Sequence, residues 1–441
     1  MPEASDPSKQ RGAATPIRVG LLGCGIVGGS LVDLLNERGP AIAASTGLDL
    51  VVTRIAVRSV SRDRNIELDP SLLTTDARSV ATGDDVDIVV EVIGGIEPAR
   101  ELILAALAAG KPVITANKEL LANHGAELYA AAAASGVDLL FEAAVAGAIP
   151  IVRPLRQSLL GEDVHRITGI VNGTTNYILT RMAEDGASYG DALAEAQRLG
   201  YAERDPTADV EGYDAGAKIA IMASIGFGAR VVAGDVYHEG ISEITQTDIA
   251  YARRLGYEIK LLAVAEKSAT AAGPVVGVRV HPSMVPVTHP LASVRDSFNA
   301  VFVEGNSSGE LMFYGRGAGG RPTASAVLGD LTDAALNWHR GAHQVVPTGG
   351  EMTIRPIDDL ETAYYLNVEV DDSPGVLAQV AGVFGRHGVS IRSMEQEDVG
   401  TTARIVFITH QALERDVQAT LHDLRALEAV TGIQSVLRVV G

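Results

Sequence analysis

The sequence holds one cysteine, Cys24, in 441 residues. No disulfide can close within a single chain, and a zinc site built on several thiolates is excluded. Basic residues are scarce: 36 Lys and Arg stand against 55 Asp and Glu, a formal net charge of −19. Such a chain repels nucleic acid and anionic membrane surfaces, and neither is expected as a partner. No apolar run reaches the roughly 18–20 residues of a membrane-crossing helix. The ten histidines show no metal-ligand spacing of the His-Glu-x-x-His kind. The N-terminus lacks the apolar core of a secretion signal, so the cytoplasm is the expected compartment. The remaining composition, 46% hydrophobic and 21% charged, is that of a globular chain, and the length predicts about three domains.

Residues 1–15 are polar and rich in Pro, Ser and Ala, and read as a disordered tail. Apolar strands are then expected at Ile17–Leu22, Leu48–Val57, Asp87–Ile93, Pro112–Thr115 and Asp138–Ala143, with helices at Glu97–Ala109 and Lys118–Ala134 between the later ones. Strand–helix alternation of this kind predicts an α/β fold with a doubly wound parallel sheet over residues 16–150. From 151 to 317 helices precede a set of strand-like runs, which predicts an α+β domain. A helix near Thr323–Trp338, within 318–340, is expected to return to the first domain. Residues 341–360 hold two prolines and two adjacent glycines and read as a linker. Residues 361–441 read β-α-β-β-α-β, a ferredoxin-like unit.

Gly23, Gly25 and Gly28 form G-x-G-x-x-G between the first strand and the first helix. The first glycine permits the turn, the second lets backbone approach a pyrophosphate, and the third lets helix pack on strand. The helix start, including Ile26 and Val27, offers N–H groups to the phosphates. The second strand ends without the carboxylate that would bind a ribose 2′-OH. Arg58 stands there, with Arg62 and Arg64 nearby. An arginine suits a 2′-phosphate, which favours NADP over NAD.

Lys118 follows Thr115-Ala116-Asn117 at the carboxyl end of a strand, where ligands bind in open α/β sheets. Asp214 and Lys218 lie four apart in GYDAGAKIAIMASIG and so share a helix face. Exposed, such a pair is worth a few tenths of a kcal/mol. Lys218 is, however, the only charged residue from Ala215 to Ala229. Desolvation among apolar neighbours, and a second cation such as Lys118, lower a lysine pKa towards neutrality. That suits proton exchange with an alcohol or carbonyl. The segment Glu142–Pro150 exposes carbonyls beside one carboxylate, as either a cation site or a structural crossover.

The run Ala196 to Lys218, A-x3-G-Y-A-E-x-D-P-x2-D-V-x-G-x-D-x3-K, resembles the defining motif of homoserine dehydrogenases. Gly169–Ile178, GIVNGTTNYI, is a second family-like run. The resemblance implies a Rossmann-type domain, a catalytic domain and NAD(P)-dependent interconversion of L-homoserine and L-aspartate 4-semialdehyde. This reaction serves threonine, methionine and isoleucine biosynthesis. It implies Lys218 as proton donor, with Asp214, Glu203 and Lys118 at the substrate. Coenzyme contacts are implied at the glycine loop, Arg58, Lys118, Gly200, Glu203 and Gly319. It also implies a sodium ion at Glu142, Val145, Gly147 and Ile149, largely on carbonyls.

The turn Val370–Ala378, VDDSPGVLA, resembles the amino-acid-binding turn of ACT domains. That resemblance implies feedback control by L-threonine, with Asp372, Pro374, Gly375 and Leu377 at the effector. It also implies a homodimer or homotetramer, since such domains pair. No kinase-like stretch precedes residue 16, and a fused aspartate kinase is not expected. Two other readings remain: an amino-acid dehydrogenase of the same architecture with another substrate, and a non-catalytic nucleotide and amino-acid sensor.

Overall fold

A computed structural model describes residues 14–62, 64, 66–271, 273–344, 350, 352–398 and 402–440. Residues 1–13 of the expected tail lie outside that range. Thr15, also assigned to the tail, already opens a strand. The chain divides into two compact units, Met1–Ser158 with Ala318–Thr348 and Leu159–Gly317 with Gly349–Gly441.

Among the described residues, the first unit is built on six strands: β1 (Thr15–Leu22), β2 (Leu48–Ala56), β3 (Leu73–Thr74), β4 (Ile88–Glu91), β5 (Val113–Thr115) and β6 (Leu139–Leu140). They pair in parallel in the order β3-β2-β1-β4-β5-β6. This is the doubly wound order, and its ligand crevice lies where the order reverses, between β1 and β4. β1 ends in a fully buried run, Val19–Leu22, as a strand covered on both faces does. Helices Ile26–Thr46 and Gly320–His339 pack on each other and on the sheet through Leu31, Leu35, Val327 and Leu331, in one core with Val19 and Ile88. The strand expected at Asp138–Ala143 stops at Leu140. Its continuation turns into a 3-10 helix, Glu142–Ala144, and the Glu142 N–H bonds Asp330 Oδ2 at 2.7 Å.

The second unit contains β7 (Val164–Ile170), β8 (Tyr237–His238), β9 (Tyr257–Thr270), β10 (Gly273–Pro286), β11 (Phe298–Gly305), β12 (Gly309–Arg316), β13 (Thr353–Ile354), β14 (Glu361–Asp371), β15 (Ile391–Asp398), β16 (Thr402–Thr409), β17 (Ala412–Leu413) and β18 (Val430–Val439). Its main path runs β12-β11-β7-β9-β10-β18-β14-β16-β15. Five helices, among them Gly173–Asp185, Tyr213–Phe227 and Gln246–Arg254, precede β9 in the chain.

The C-terminal unit has the expected β-α-β-β-α-β order, with helices Val376–Arg386 and Glu414–Arg425 over a core of Leu366, Val380, Phe384, Phe407 and Leu421. It does not stand apart as expected. Ser283 and Met284 of β10 pair with Arg438 and Val439 of β18, so the two sheets are continuous. Arg438 is buried and bonds Glu239 at 2.6 Å and Glu414 at 2.8 Å, which makes the junction charged as well as ladder-bonded. The stretch expected as a linker contains β13, paired with Val275–Val276, and a 3-10 turn, Ile357–Asp359. Residues 345–349 and 351 of it lie outside the described residues.

Candidate active site

The glycine loop closes tightly behind β1. Gly23 has φ +100°, its N–H bonds the Ala56 carbonyl, and a Cβ there would meet the Val92 carbonyl at 2.9 Å. A Cβ on Gly28 would lie 2.5 Å from the Gly23 carbonyl oxygen. At Gly25 no atom lies within 4 Å of an added Cβ. The helix Ile26–Thr46 has no side-chain cap and no acidic residue in its first turn, and Ile26 is 81% exposed. Uncapped N–H groups and a dipole, with open space before them, form a cradle that fits a pyrophosphate. Gly319 caps the second helix beside it, since a Cβ on Gly320 would touch Ile26 and Ser30 at 2.8 Å. Val27 is half-buried against the unit's core. Arg58 is exposed just beyond β2. The loop after it is closed by Arg64, which donates to the carbonyls of Ser59 (2.7 Å) and Arg62 (2.8 Å).

Lys118 opens the helix Lys118–Ser135 at the carboxyl end of β5 and is half-buried. Asn117 caps that helix through Leu120 N and donates to the Gly95 carbonyl at 2.6 Å. Glu91, fully buried at the end of β4, accepts from Thr115 Oγ1 and from the N–H groups of Ile93 and Gly94. It fixes both loops at the crevice, and sequence reasoning did not find it. A buried acid at the end of an apolar strand was the available signal.

Among the described residues, no group of three or more His, Cys, Asp or Glu can hold a metal ion. The expected cation segment is a buried turn in which Ala146 (φ +54°) and Gly147 (φ +57°) are successively left-handed. The Glu142 carboxylate is engaged inside the protein: it accepts from Ile151 N at 2.6 Å and from Val152 N and Arg153 N at 2.8 Å. Burial raises its pKa against those three bonds. Any cation there would therefore rest on carbonyls, those of Glu142, Val145, Gly147 and Ile149 among them. Asp330, also missed, accepts from Glu142 N, pairs with Arg153 at 3.1 Å, and is pushed up to about 7 by burial.

In the second unit Lys218 lies on the helix Tyr213–Phe227 and is 8% exposed. Its Nζ donates to Asp214 Oδ2 at 2.7 Å and to the Val171 carbonyl at 2.6 Å. The face shared by Asp214 and Lys218 is thus turned inward, onto the end of β7. Asn172, the next residue, donates from Nδ2 to Asp209 at 2.7 Å and to Asp214 at 2.9 Å. Asn172 and Asp209 both lie inside the family-like runs, and neither was given a role from sequence. Thr174 Oγ1 holds the Tyr201 carbonyl at 2.6 Å and so anchors the loop that carries Gly200 and Glu203, both exposed. A buried ammonium at this distance from a carboxylate can give a proton to, or take one from, a bound oxygen.

The turn at Asp372–Leu377 is exposed at the end of β14. Gly375 (φ +92°) caps the helix Val376–Arg386, Ser373 N bonds the Asp371 carbonyl, Pro374 lies between them, and Leu377 is 36% exposed.

Among the described residues, no helix is long and apolar enough to cross a membrane. Three family models match the chain: homoserine dehydrogenase, NAD binding domain, over residues 23–142; homoserine dehydrogenase over 150–332; and ACT domain over 364–429. The homoserine dehydrogenase of Corynebacterium glutamicum is 52% identical over 442 residues, covering 99% of both chains. That of Mycobacterium tuberculosis is 49% identical, covering 98% of this chain and 99% of its own. The crystal structure of a homoserine dehydrogenase from Thiobacillus denitrificans superposes with a TM-score of 0.90 at 41% identity, covering 97% of this chain and 98% of its own. A hyperthermophilic archaeal homoserine dehydrogenase in complex with NADPH gives 0.62 at 28% identity over 73% of this chain and 98% of its own. With the dinucleotide cradle, the buried lysine and these likenesses together, the chain belongs to the homoserine dehydrogenase family of oxidoreductases, with NAD-binding, catalytic and ACT domains.

Proposed function

We propose that the enzyme interconverts L-aspartate 4-semialdehyde and L-homoserine with NADP in preference to NAD, in the supply of threonine, methionine and isoleucine. The observation that carries the mechanism is Lys218, buried and held by Asp214 and the Val171 carbonyl. When bound, the reduced nicotinamide supplies hydride to the aldehyde carbon. Lys218, as ammonium, stabilises the charge growing on the oxygen and gives it a proton. In the direction of oxidation, neutral Lys218 takes the hydroxyl proton. Asp214 keeps the ammonium oriented and, with Glu203, receives the amino acid. Lys118 serves substrate and coenzyme at the crevice of the first unit.

The coenzyme binds at Gly23, Gly25, Ile26, Val27, Gly28 and Gly319. Arg58, exposed where a carboxylate would select NAD, meets the 2′-phosphate. The archaeal relative solved with NADPH supports the same choice. A sodium ion rests on the carbonyls of Glu142, Val145, Gly147 and Ile149, a reading supported by the left-handed turn between them. L-Threonine acts through the turn formed by Asp372, Pro374, Gly375 and Leu377 in a homodimer or homotetramer. Exposed strands at both ends of the long sheet, β12 and β15, support pairing of copies. The enzyme works in the cytoplasm.

Steady-state rates with homoserine and either NAD or NADP, each with and without threonine, test these assignments together. The expected result is a higher kcat/KM with NADP and inhibition by threonine. A preference for NAD, or turnover indifferent to threonine, would remove the corresponding assignment.

A further inference from the structure

We propose that Asn172 is a positioning residue for the Asp214–Lys218 pair, acting through the two N–H groups of its side-chain amide. The inference rests on Lys218 as the proton donor. Asn172 is 5% exposed and stands where β7 gives way to the helix Gly173–Asp185. Its Oδ1 accepts from Thr175 N and Thr175 Oγ1, both at 2.9 Å, which caps that helix. Its Nδ2 donates to Asp209 Oδ1 at 2.7 Å and Asp214 Oδ2 at 2.9 Å. The same Asp214 oxygen accepts from Lys218 at 2.7 Å, and the carbonyl one residue before Asn172 accepts from Lys218 at 2.6 Å. Consecutive residues of one strand end therefore hold the lysine and its counter-ion.

The residue type is informative. Two carboxylates drawn to one point repel, and one of them tends to take a proton. A primary amide is the neutral side chain with two N–H donors on one nitrogen. It bonds both carboxylates while both stay ionised, and adds no cation to compete with Lys218. A reversed amide would set its oxygen against both carboxylates and leave Thr175 N without an acceptor, so the network fixes the orientation. The amide bond to Asp214 Oδ2 also fixes the rotamer that meets Lys218.

The charged groups that face Lys218 include Asp214, from its own helix, and Asp209, from the helix Thr207–Val210 across the amide. From β7 the contact is the Val171 carbonyl. His238 of β8 abuts the helix at Gly216, two residues and some 200° around the helix from Lys218. The charges of β9 and β10 are engaged elsewhere: Glu258 with Arg253, Lys260 with the Val294 carbonyl, Lys267 with Asp163, Glu266 with Arg279, and His281 with Arg279 and Ser283.

Aspartate and serine cap helices about as well as asparagine. Asn172→Asp and Asn172→Ser therefore keep the cap and remove the two-proton donor. Both are made in the full-length enzyme and compared with the parent for thermal unfolding, coenzyme binding by fluorescence, and kcat and KM for homoserine across pH. The expected variants melt within a few degrees of the parent, bind coenzyme equally, and lose roughly tenfold or more in kcat. In Asn172→Asp the alkaline rise of homoserine oxidation moves to higher pH, because a further carboxylate favours the ammonium form of Lys218. Asn172→Ser, which adds no charge, shows a smaller shift. Parental kcat and pH profile in Asn172→Asp would overturn the inference, as would a loss of activity that only follows the unfolded fraction. Lys218→Met separates the two levels. If it is inactive while Asn172→Asp is normal, the inference alone fails, whereas a Lys218→Met enzyme with parental turnover removes the reading beneath it.

Discussion

Lys218 Nζ lies 2.7 Å from Asp214 Oδ2, one helical turn away, and both side chains are at most one-tenth exposed. An exposed pair at this spacing contributes almost nothing to stability. A buried one is different, because removing one partner strands the other charge, at about 3–5 kcal/mol. Asp214→Asn is predicted to lower the melting temperature and to reduce kcat by roughly a hundredfold, with coenzyme affinity unchanged. Calorimetry and steady-state kinetics check this together. A variant with parental stability and turnover would show that the pair is incidental.

Two glycines of the coenzyme loop are predicted to fail in different ways. An added methyl at Gly28 meets the Gly23 carbonyl at 2.5 Å, so Gly28→Ala strains the fold by about 1–3 kcal/mol as well as weakening coenzyme binding. At Gly25 the methyl meets nothing in the protein. Gly25→Ala is therefore predicted to fold normally and to bind coenzyme roughly tenfold or more weakly, because the methyl occupies the approach of the pyrophosphate. Thermal unfolding beside coenzyme titration separates the cases. Unimpaired binding by Gly25→Ala would contradict this use of the loop.

Truncation at residue 360 is a poor test of regulation. It would strip β18 from β10, leave Glu239 without Arg438, and free Tyr251 and Arg254 of the helix Gln246–Arg254 from Glu397 and Glu395. Point changes in the exposed turn avoid this. Asp372→Ala and Leu377→Ala are predicted to raise the threonine concentration for half-inhibition roughly tenfold, at parental kcat without effector. Inhibition curves decide it, and curves that coincide with the parent would move the effector site elsewhere.

Asp330 supplies a pH dependence. Its folded pKa is raised to about 7 by burial, from the ordinary value of 3.8. Between those values the folded state holds a proton that the unfolded state has lost. Its stabilising contribution is complete below pH 3.8 and is lost as pH rises through about 7. The neighbouring Glu142, raised by the same cause, acts in the same direction. Asp330→Asn removes this term, so the variant is predicted to be more destabilised relative to the parent at pH 5 than at pH 8. Urea unfolding at both pH values measures it. A difference independent of pH, or larger at pH 8, would contradict the assignment.

The periodic features of the chain were legible in its sequence. The apolar strands, the glycine loop and the Asp214–Lys218 spacing each depend on neighbours within a few residues. What escaped depends on distance along the chain. Asn172 meets Asp209 and Asp214 across 37 and 42 residues, and Asp330 meets Glu142 across 188. No periodicity marks such pairs. The continuity of the two sheets in the second unit rests on the pairs Ser283–Arg438 and Met284–Val439 in a long strand, and composition gave no sign of them. The commitment of the Glu142 carboxylate to three backbone N–H groups was hidden for a different reason: its partners lie only 9 to 11 residues on, but a carboxylate in a glycine- and alanine-rich turn reads as an available ligand until the N–H donors that the turn aims at it are counted.

The most direct measurement is the rate of semialdehyde reduction by Lys218→Met, with coenzyme binding measured on the same preparation. Methionine fills the apolar surroundings without a proton to give. The account predicts parental coenzyme affinity and a kcat lowered by roughly a hundredfold to ten-thousandfold. A variant that binds coenzyme and reduces the aldehyde at the parental rate would contradict it.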